Sequence, residues 1–320
     1  MLFATVLLIV GLILLVYGAD RLVYGAAVLA RGFGIPPMVI GITIVGLGTS
    51  LPELMVSVTA AMNHQIDMAV GNVLGSNIAN ILLILGSATL IRPLTFHSVL
   101  VRRELPLMLI VTALCGALLY DHVLSRLDGV ILLLAATVSI TLILRMARTA
   151  QQAGVDSLTR EQMDELPRDN NATVALLWLV LGVIILPMAT RIVVDNATVI
   201  ARSFNISELT IGLTVLAIGT SLPELATAIV GTLKKEDDIA LGNLIGSNIF
   251  NIGIVLGVPA LLSPGALNPL AFSRDYWVML GASVLLAALC LRQKRCIGQG
   301  AGALLLCAFI AYLTVLFFFS

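Results

Sequence analysis

Long apolar stretches, each interrupted by only a few polar residues, set the pattern of this chain. A helix needs ~20 mostly apolar residues to cross a bilayer, and ten stretches approach that length. The first five are Met1–Gly18, Ile35–Met62, Met68–Ile91, Leu105–Tyr120 and Gly129–Leu144. The second five are Val174–Val194, Ile206–Leu233, Ile239–Leu262, Tyr276–Leu291 and Gly300–Phe319. The pattern predicts an all-α polytopic membrane protein with ten transmembrane helices. The first stretch has no basic residues before it and no small-residue cleavage site after it. It therefore reads as a retained helix, not as a removed leader.

Composition narrows the classes further. Of 320 residues, 59% are apolar and 11% charged, against roughly 45–50% and about 25% in soluble domains. Mean hydropathy is +1.06. These values exclude a disordered chain and argue against a water-soluble enzyme. The 18 basic and 18 acidic residues cancel, so nothing points to nucleic acid. Basic residues collect on the cytoplasmic side of membrane proteins. With the amino terminus outside, only Arg126, Arg191, Arg202 and Arg274 of the 18 fall outside and 14 fall inside. Both termini are thus expected outside. Cys115, Cys290, Cys296 and Cys307 lie in or beside apolar stretches without a CxxC pair and read as buried thiols.

A repeat gives this pattern its organisation. Gly48-Thr-Ser-Leu-Pro-Glu-Leu54 recurs as Gly219-Thr-Ser-Leu-Pro-Glu-Leu225. Gly71-Asn-Val-Leu-Gly-Ser-Asn-Ile-Ala-Asn-Ile81 recurs as Gly242-Asn-Leu-Ile-Gly-Ser-Asn-Ile-Phe-Asn-Ile252, with 8 of 11 positions identical. Both pairs share one offset of 171 residues (Gly48 to Gly219, Gly71 to Gly242). Each copy holds five crossings, an odd number, so the second copy enters the membrane from the opposite side. That predicts two inverted five-helix repeats, an architecture with its substrate site near mid-bilayer between the halves. The first repeat is residues 1–145 and the second 173–320. Residues 146–172 form a polar cytoplasmic linker in which Thr159 and Gln162 can cap a short surface helix.

The repeated motifs place unusual chemistry at mid-depth. Thr49 and Thr220 each lie 14 residues into their stretches, and Asn80 and Asn251 each lie 12 residues into theirs. Glu53 and Glu224 follow the threonines by one turn. A charge at the centre of a membrane helix costs roughly 2.5–3.5 kcal/mol on insertion scales, and no Lys or Arg occurs between Gly32 and Ile91 to offset it. The two acids must be protonated or hold a cation. Pro52 and Pro223 remove a backbone donor, which predicts interrupted helices with carbonyls turned toward a cavity. Carboxylates, hydroxyls, amide oxygens and backbone carbonyls are the ligands of hard cations. Thr49, Ser50, Glu53, Thr220, Ser221 and Glu224 supply such groups. Ser76 and Asn80 share one helix face by their i, i+4 spacing, as do Ser247 and Asn251. No His or Cys joins them, which disfavours zinc or copper. Gly71-x-x-x-Gly75 and Gly242-x-x-x-Gly246 read as close-packing devices. Asn72 and Asn243 serve either as ligands or as partners for freed backbone groups.

Two copies of GTSLPE, each followed by GNxxGSNIxN, resemble the paired α-repeats of the sodium/calcium exchanger family, within the cation/calcium antiporter superfamily. The resemblance covers the whole chain and is closest to bacterial inner-membrane members. It implies a secondary antiporter that exchanges calcium, or a similar hard cation, for sodium by alternating access, with a periplasmic location for both termini. It implies calcium held by Glu53, Glu224 and the carbonyls of Thr49 and Thr220. It implies sodium sites that add Ser50, Ser221, Ser76 and Ser247, with Gly46 and Ala217 three residues before the threonines. It also implies that the first and sixth spans slide across the core. Calcium and sodium are then transported ions and no cofactor is expected. The partners are these ions and the lipid bilayer, with H+ or K+ as alternative coupling ions and no obligatory protein partner. Family members often carry an aspartate where this chain has Asn251.

Other classes fit less well. A cation/proton antiporter would use the same paired glutamates. A channel would need no counter-ion. Enzymes are disfavoured because His64, His97 and His122 lie at loops or span ends with no HExxH, and no GxxxxGK[ST] supplies an ATP-driven pump. The Glu236-Asp237-Asp238 run reads as solvated loop charge, with regulatory calcium binding as the alternative.

Overall fold

A computed structural model describes residues 2–33, 35, 37–95, 103–152, 171–203, 217–291 and 296–319. The side chains of residues 31, 37, 38, 147–152, 201, 202, 217 and 317–319 fall outside that description. The molecule is built almost entirely of helices. In chain order they begin with α1 (Leu2–Phe33), α2 (Pro37–Ile40), a π-helical turn at Gly41–Val45, α3 (Gly46–Thr49) and α4 (Leu51–Met62). Then come α5 (Ile66–Ala79), a π turn at Asn80–Leu85, α6 (Gly86–Ile91), strand β1 (Leu94–Thr95), α7 (Leu105–Leu119), strand β2 (Val123–Leu124) and α8 (Arg126–Gln152). The rest comprises α9 (Ala172–Ser203), α10 (Ala217–Thr220), α11 (Leu222–Leu233), α12 (Asp237–Phe250), a π turn at Asn251–Val255 and α13 (Gly257–Leu262). Strand β3 (Gly265–Ala266), a π turn at Ala271–Tyr276, α14 (Trp277–Leu291), strand β4 (Cys296–Ile297) and α15 (Gln299–Phe319) complete it.

Among the described residues, seven helices are long and apolar enough to cross a membrane, and the bent pair Gly41–Thr49 with Leu51–Met62 passes the same test. Burial divides them. The continuous runs Ile66–Ile91 and Asp237–Leu262 are 72% and 83% buried over their apolar windows, whereas α1 and α9 are 28% buried. The first two, which carry the GSNIxN motifs, are thus the centre of the molecule. The others present Leu, Ile and Val outward, as a lipid-facing surface requires.

The outer pair α1 and α9 pack antiparallel along most of their lengths. Gly11 lies against Val193, Gly18 against Ile185 and Leu186, and Gly25 against Ala175 and Leu179. The seven-residue spacing of these glycines keeps a smooth groove on one face of α1, and Gly182 answers it by admitting Leu22. Both helices run past their predicted spans. The expected end at Gly18 fails because Asp20 and Arg21 are accommodated inside α1. Asp20 pairs with Lys234 at 2.7 Å, and the Arg21 guanidinium sits 4.5 Å from the Trp178 ring centroid. Partners so remote in sequence satisfy charges that would otherwise end an apolar helix.

Two short antiparallel pairings tie distant segments. Leu94 and Thr95 of β1 pair with Ile297 and Cys296 of β4, and Val123 and Leu124 of β2 pair with Ala266 and Gly265 of β3. Nearby, Arg92 forms an ion pair with Asp237 and donates to the carbonyl of Thr232 at 3.2 Å. The backbone N–H and hydroxyl of Thr95 donate to the other oxygen of Asp237 at 3.0 and 2.9 Å. Asp237 is therefore buried and engaged, which corrects the reading of its acidic run as solvated loop charge. Of the cysteines, Cys115 and Cys290 are buried, Cys296 is half-buried, and Cys307 is exposed on α15. Residues 153–170, with the expected linker cap at Thr159 and Gln162, lie outside the described residues, as do residues 206–216 of the expected seventh span.

Candidate functional site

The helical run through the first GTSLPE motif breaks at Ser50, whose φ of −84° and ψ of 8° depart from helical values. The axes on either side differ by 49°. Pro52 then falls in the first turn of α4, where a missing N–H leaves nothing unsatisfied. Ser221 (φ −90°, ψ 9°) and Pro223 do the same before α11. The prolines thus start new helices after a break, in line with the interrupted helices expected from the sequence. The new ladders begin with Leu54 N–H to the Ser50 carbonyl at 3.2 Å and Leu225 N–H to the Ser221 carbonyl at 3.1 Å.

This break puts Glu53 and Glu224 in the first turns of α4 and α11. The amino-terminal end of a helix carries partial positive charge and favours an anion there. Both carboxylates are fully buried, and among the described residues no basic side chain pairs with either. What each receives is a hydroxyl from the other half. Ser50 Oγ donates to Glu224 Oε1 at 3.1 Å, and Ser221 Oγ donates to Glu53 Oε1 at 3.2 Å. Ser247 adds a second donor to Glu224 at 3.4 Å, and Ser221 lies 3.3 Å from Ser76. The second oxygen of each glutamate, Oε2, is buried without a hydrogen-bond partner.

The threonines and amides extend this arrangement. Thr49 Oγ1 donates to Asn243 Oδ1 at 3.0 Å and to the Gly46 carbonyl at 3.3 Å, and lies 3.4 Å from Ser247. Ser247 also reaches that Gly46 carbonyl at 3.5 Å. Thr220 Oγ1 donates to Asn72 Oδ1 at 3.5 Å. Asn72 in turn donates to the Glu53 carbonyl at 3.1 Å and to Ser57 at 2.9 Å. Of the two roles open to Asn72, satisfying a backbone carbonyl is the one seen. Asn80 and Asn251 begin the π turns that follow α5 and α12. Such turns are frequent at functional sites. Ala217 opens α10, and its side chain lies outside the described residues.

The contacts exchange under the 171-residue offset. Thr49 to Asn243 maps onto Thr220 to Asn72, and Ser50 to Glu224 maps onto Ser221 to Glu53. Asn80 to Asn248 maps onto Asn251 to Asn77. Asn77 and Asn248 are members of this network that the i, i+4 face argument passed over. The repeat did carry the signal, since both sit at identical letters of GSNI. The glycine pairs are half accounted for. A methyl group at Gly246 would fall on the backbone of Ile42, so close packing holds there. Among the described residues no atom lies within 4 Å of a methyl placed at Gly71 or Gly75. Their offset partners, residues 212–217, lie largely outside the described residues.

Chemically, the arrangement offers two carboxylates, the six hydroxyls of Thr49, Ser50, Ser76, Thr220, Ser221 and Ser247, the Gly46 carbonyl and amide oxygens in a protein interior. Such an all-oxygen set suits a hard cation.

Comparisons with known proteins match nearly the whole chain. The family model described as sodium/calcium exchanger protein matches residues 3–145 and 174–318. The inner membrane protein YrbG of Escherichia coli (strain K12) is 60% identical over 320 residues, covering 100% of this chain and 98% of that protein. The sodium/calcium exchanger MaX1 of Methanosarcina acetivorans is 28% identical over 343 residues, covering 98% of each. Among solved structures, the sodium-calcium exchanger NCX_Mj soaked with 2.5 mM Na+ and 0.1 mM Ca2+ is 29% identical, with a TM-score of 0.84. That match covers 100% of this chain and 99% of NCX_Mj.

Proposed function

Because the chain belongs to the sodium/calcium exchanger family, we propose that it is an antiporter exchanging calcium for sodium by alternating access at the paired glutamates. The observation that carries this reading is the reciprocal pair of bonds, Ser50 to Glu224 and Ser221 to Glu53, around two buried acids with no basic partner among the described residues. Glu53, Glu224 and the carbonyls of Thr49 and Thr220 hold calcium. Ser50, Ser221, Ser76, Ser247, Asn80, Asn251, Gly46 and Ala217 complete the cation ligands, the serines chiefly for sodium. Ions are the cargo, and no cofactor takes part.

The exchanging contacts support two inverted five-helix halves, residues 1–145 and 173–320, joined by a linker at 146–172. In this reading ten segments cross the membrane, and α1 with α9 form the pair that slides over the glutamate helices. The smooth glycine groove between them supports sliding as a unit. The name of the Escherichia coli relative supports an inner-membrane location, and the basic-residue bias supports periplasmic termini.

Electrostatics then enforces exchange. One Ca2+ neutralises the two carboxylates, and so do two monovalent cations. Three monovalent ions leave one positive charge and make exchange electrogenic. An empty site would carry unpaired charge through a dry interior at a cost of several kcal/mol per ion. Only loaded states switch access, so leak is suppressed.

The test is calcium uptake into proteoliposomes loaded with sodium, compared with potassium-loaded and pH-jumped vesicles and with Glu224→Gln. Uptake that needs internal sodium and vanishes in the variant is the expected result. Uptake driven by a pH gradient alone would make the protein a cation/proton antiporter at the same acids. Calcium/sodium exchange persisting in a folded Glu53→Gln, Glu224→Gln double variant would remove both residues from the mechanism.

A further inference from the structure

About one helical turn beyond Ser76 and Ser247 lies a polar layer made of asparagine alone. Asn251 Nδ2 donates to Asn77 Oδ1 at 3.1 Å, and Asn80 Nδ2 donates to Asn248 Oδ1 at 3.5 Å. All four residues are buried. A carboxamide has one acceptor end and one donor end, so fixing either end fixes both.

The orientation of Asn77 is itself determined. Its Nδ2 donates to the backbone carbonyl of Asn248 at 3.3 Å and to Met279 Sδ at 3.5 Å. Only its Oδ1 is left to face Asn251. Asn248 Nδ2 likewise donates to Met108 Sδ at 3.8 Å, which leaves its Oδ1 for Asn80. Each chain of bonds ends at an amide oxygen with nothing to accept. Asn80 Oδ1 and Asn251 Oδ1 are both buried without a hydrogen-bond partner. An unsatisfied buried acceptor costs about 1–3 kcal/mol. Two of them at offset-related positions, each one turn from a serine of the glutamate site, indicate a ligand that accepts lone pairs.

We propose that Asn77 and Asn248 are positioning residues that lock the amides of Asn251 and Asn80 with their carbonyl oxygens turned to the transported cation. The proposal rests on the cation reading of the site. Without the lock either amide could rotate and present its NH2 group, which repels a cation. The lock also gives a reason for amides at 80 and 251 in this chain. A carboxylate at 251 has no hydrogen to give Asn77 Oδ1, and Asn77 cannot turn over without abandoning the Asn248 carbonyl and Met279.

The test is calcium titration by calorimetry on the purified full-length protein in detergent, with a thermal midpoint in ion-free buffer as a second readout. The variants are Asn77→Ala, Asn251→Ala and the pair. Partners that orient metal ligands typically contribute 10–100-fold in affinity, so Asn77→Ala is expected to weaken calcium binding ~10-fold or more. Because Asn77 acts through Asn251, the double variant should bind no more weakly than Asn251→Ala alone. Additive losses, or an unchanged dissociation constant in Asn77→Ala, would overturn the proposal. Should Asn77→Ala fail to fold, the Asn248→Ala and Asn80→Ala cycle asks the same question on the other half. Wild-type protein that binds neither calcium nor sodium would defeat the cation reading and the lock together. Wild-type binding with an unaffected Asn77→Ala would defeat the lock alone.

Discussion

Ser50 Oγ donates to Glu224 Oε1 at 3.1 Å across 174 residues of chain, and the reciprocal bond from Ser221 to Glu53 is 3.2 Å long. Each half therefore supplies the hydroxyl that faces the other half's acid. A hydrogen bond to a charged group contributes about 1.5–3 kcal/mol, or ~10-fold or more in an equilibrium constant. Ser50→Ala and Ser221→Ala should each weaken sodium binding by at least that factor. Glu224 keeps Ser247 as a second donor when Ser50 is removed, so Ser221→Ala should have the larger effect of the two. Sodium titrations of the two purified variants read both numbers, and a larger loss in Ser50→Ala would argue that Ser247 does not support Glu224.

Charge without a counter-charge has a stability consequence. Burying an ionised carboxylate is costly unless it is paired, and among the described residues Glu224 has no basic partner, with Ser50 and Ser247 donating to one oxygen and the other oxygen without a hydrogen-bond partner. Glu224→Gln should raise the thermal midpoint in ion-free buffer by a few degrees, at ~2–4 °C per kcal/mol for chains of this order of size. It should also erase the rise that calcium gives the wild type, because ligand stabilisation requires ligand binding. A melting series with and without calcium checks both effects. A glutamine variant that is less stable without ions yet still stabilised by calcium would contradict this account.

The candidate site stands out in the sequence because the repeat marks it twice. Glu53 and Glu224, with Thr49, Ser50, Thr220 and Ser221, stand at one depth by residue counting alone, and the structure brings them to shared contacts. What counting could not reach depends on partners far along the chain. Asp20 and Arg21 look like the end of a helix until Lys234 and Trp178 are placed beside them. Asp237 looks like a loop charge until Arg92 meets it. Pro52 has the same letter whether it kinks a helix or starts one, and the backbone of Ser50 decides between these. Asn77 and Asn248 lie off the face shared by Ser76 and Asn80, and their contacts are visible only across the two halves.

The ion pair of Arg92 and Asp237 should respond asymmetrically to mutation. Asp237 has 9% side-chain exposure and Arg92 has 33%. Arg92→Ala leaves a buried carboxylate with only Thr95 as donor, whereas Asp237→Asn leaves a guanidinium that can extend to water. Breaking a buried pair costs about 3–5 kcal/mol, and the partial exposure of Arg92 reduces this to roughly 2–3 kcal/mol for Arg92→Ala. Asp237→Asn should cost less than half as much by the same argument. Thermal midpoints in detergent rank the two, and the reverse order would show that the bonds of Asp237 to Thr95 matter more than its pairing with Arg92.

Glu104, immediately before α7, gives the protein a pH dependence separate from the ion site. It is buried, with Oε2 lacking a hydrogen-bond partner. Burial pushes its carboxyl from an ordinary value of 4.5 up to about 7, the negative charge of Asp238 adds to the rise, and Arg103 opposes it. Between these two values the folded protein keeps a proton that the unfolded chain has released. Stability therefore falls as pH rises through that window and levels off above about 7. At 1.36 kcal/mol per unit the loss is about 3 kcal/mol at most. Glu104→Gln removes the titration, so its stability advantage over wild type should be small near pH 4.5, grow through pH 6, and be full by pH 8. Thermal midpoints of both proteins in saturating calcium, which in the proposed function holds the paired glutamates in one state, isolate this difference. An advantage that does not change with pH would mean that Glu104 titrates alike in the folded and unfolded chain.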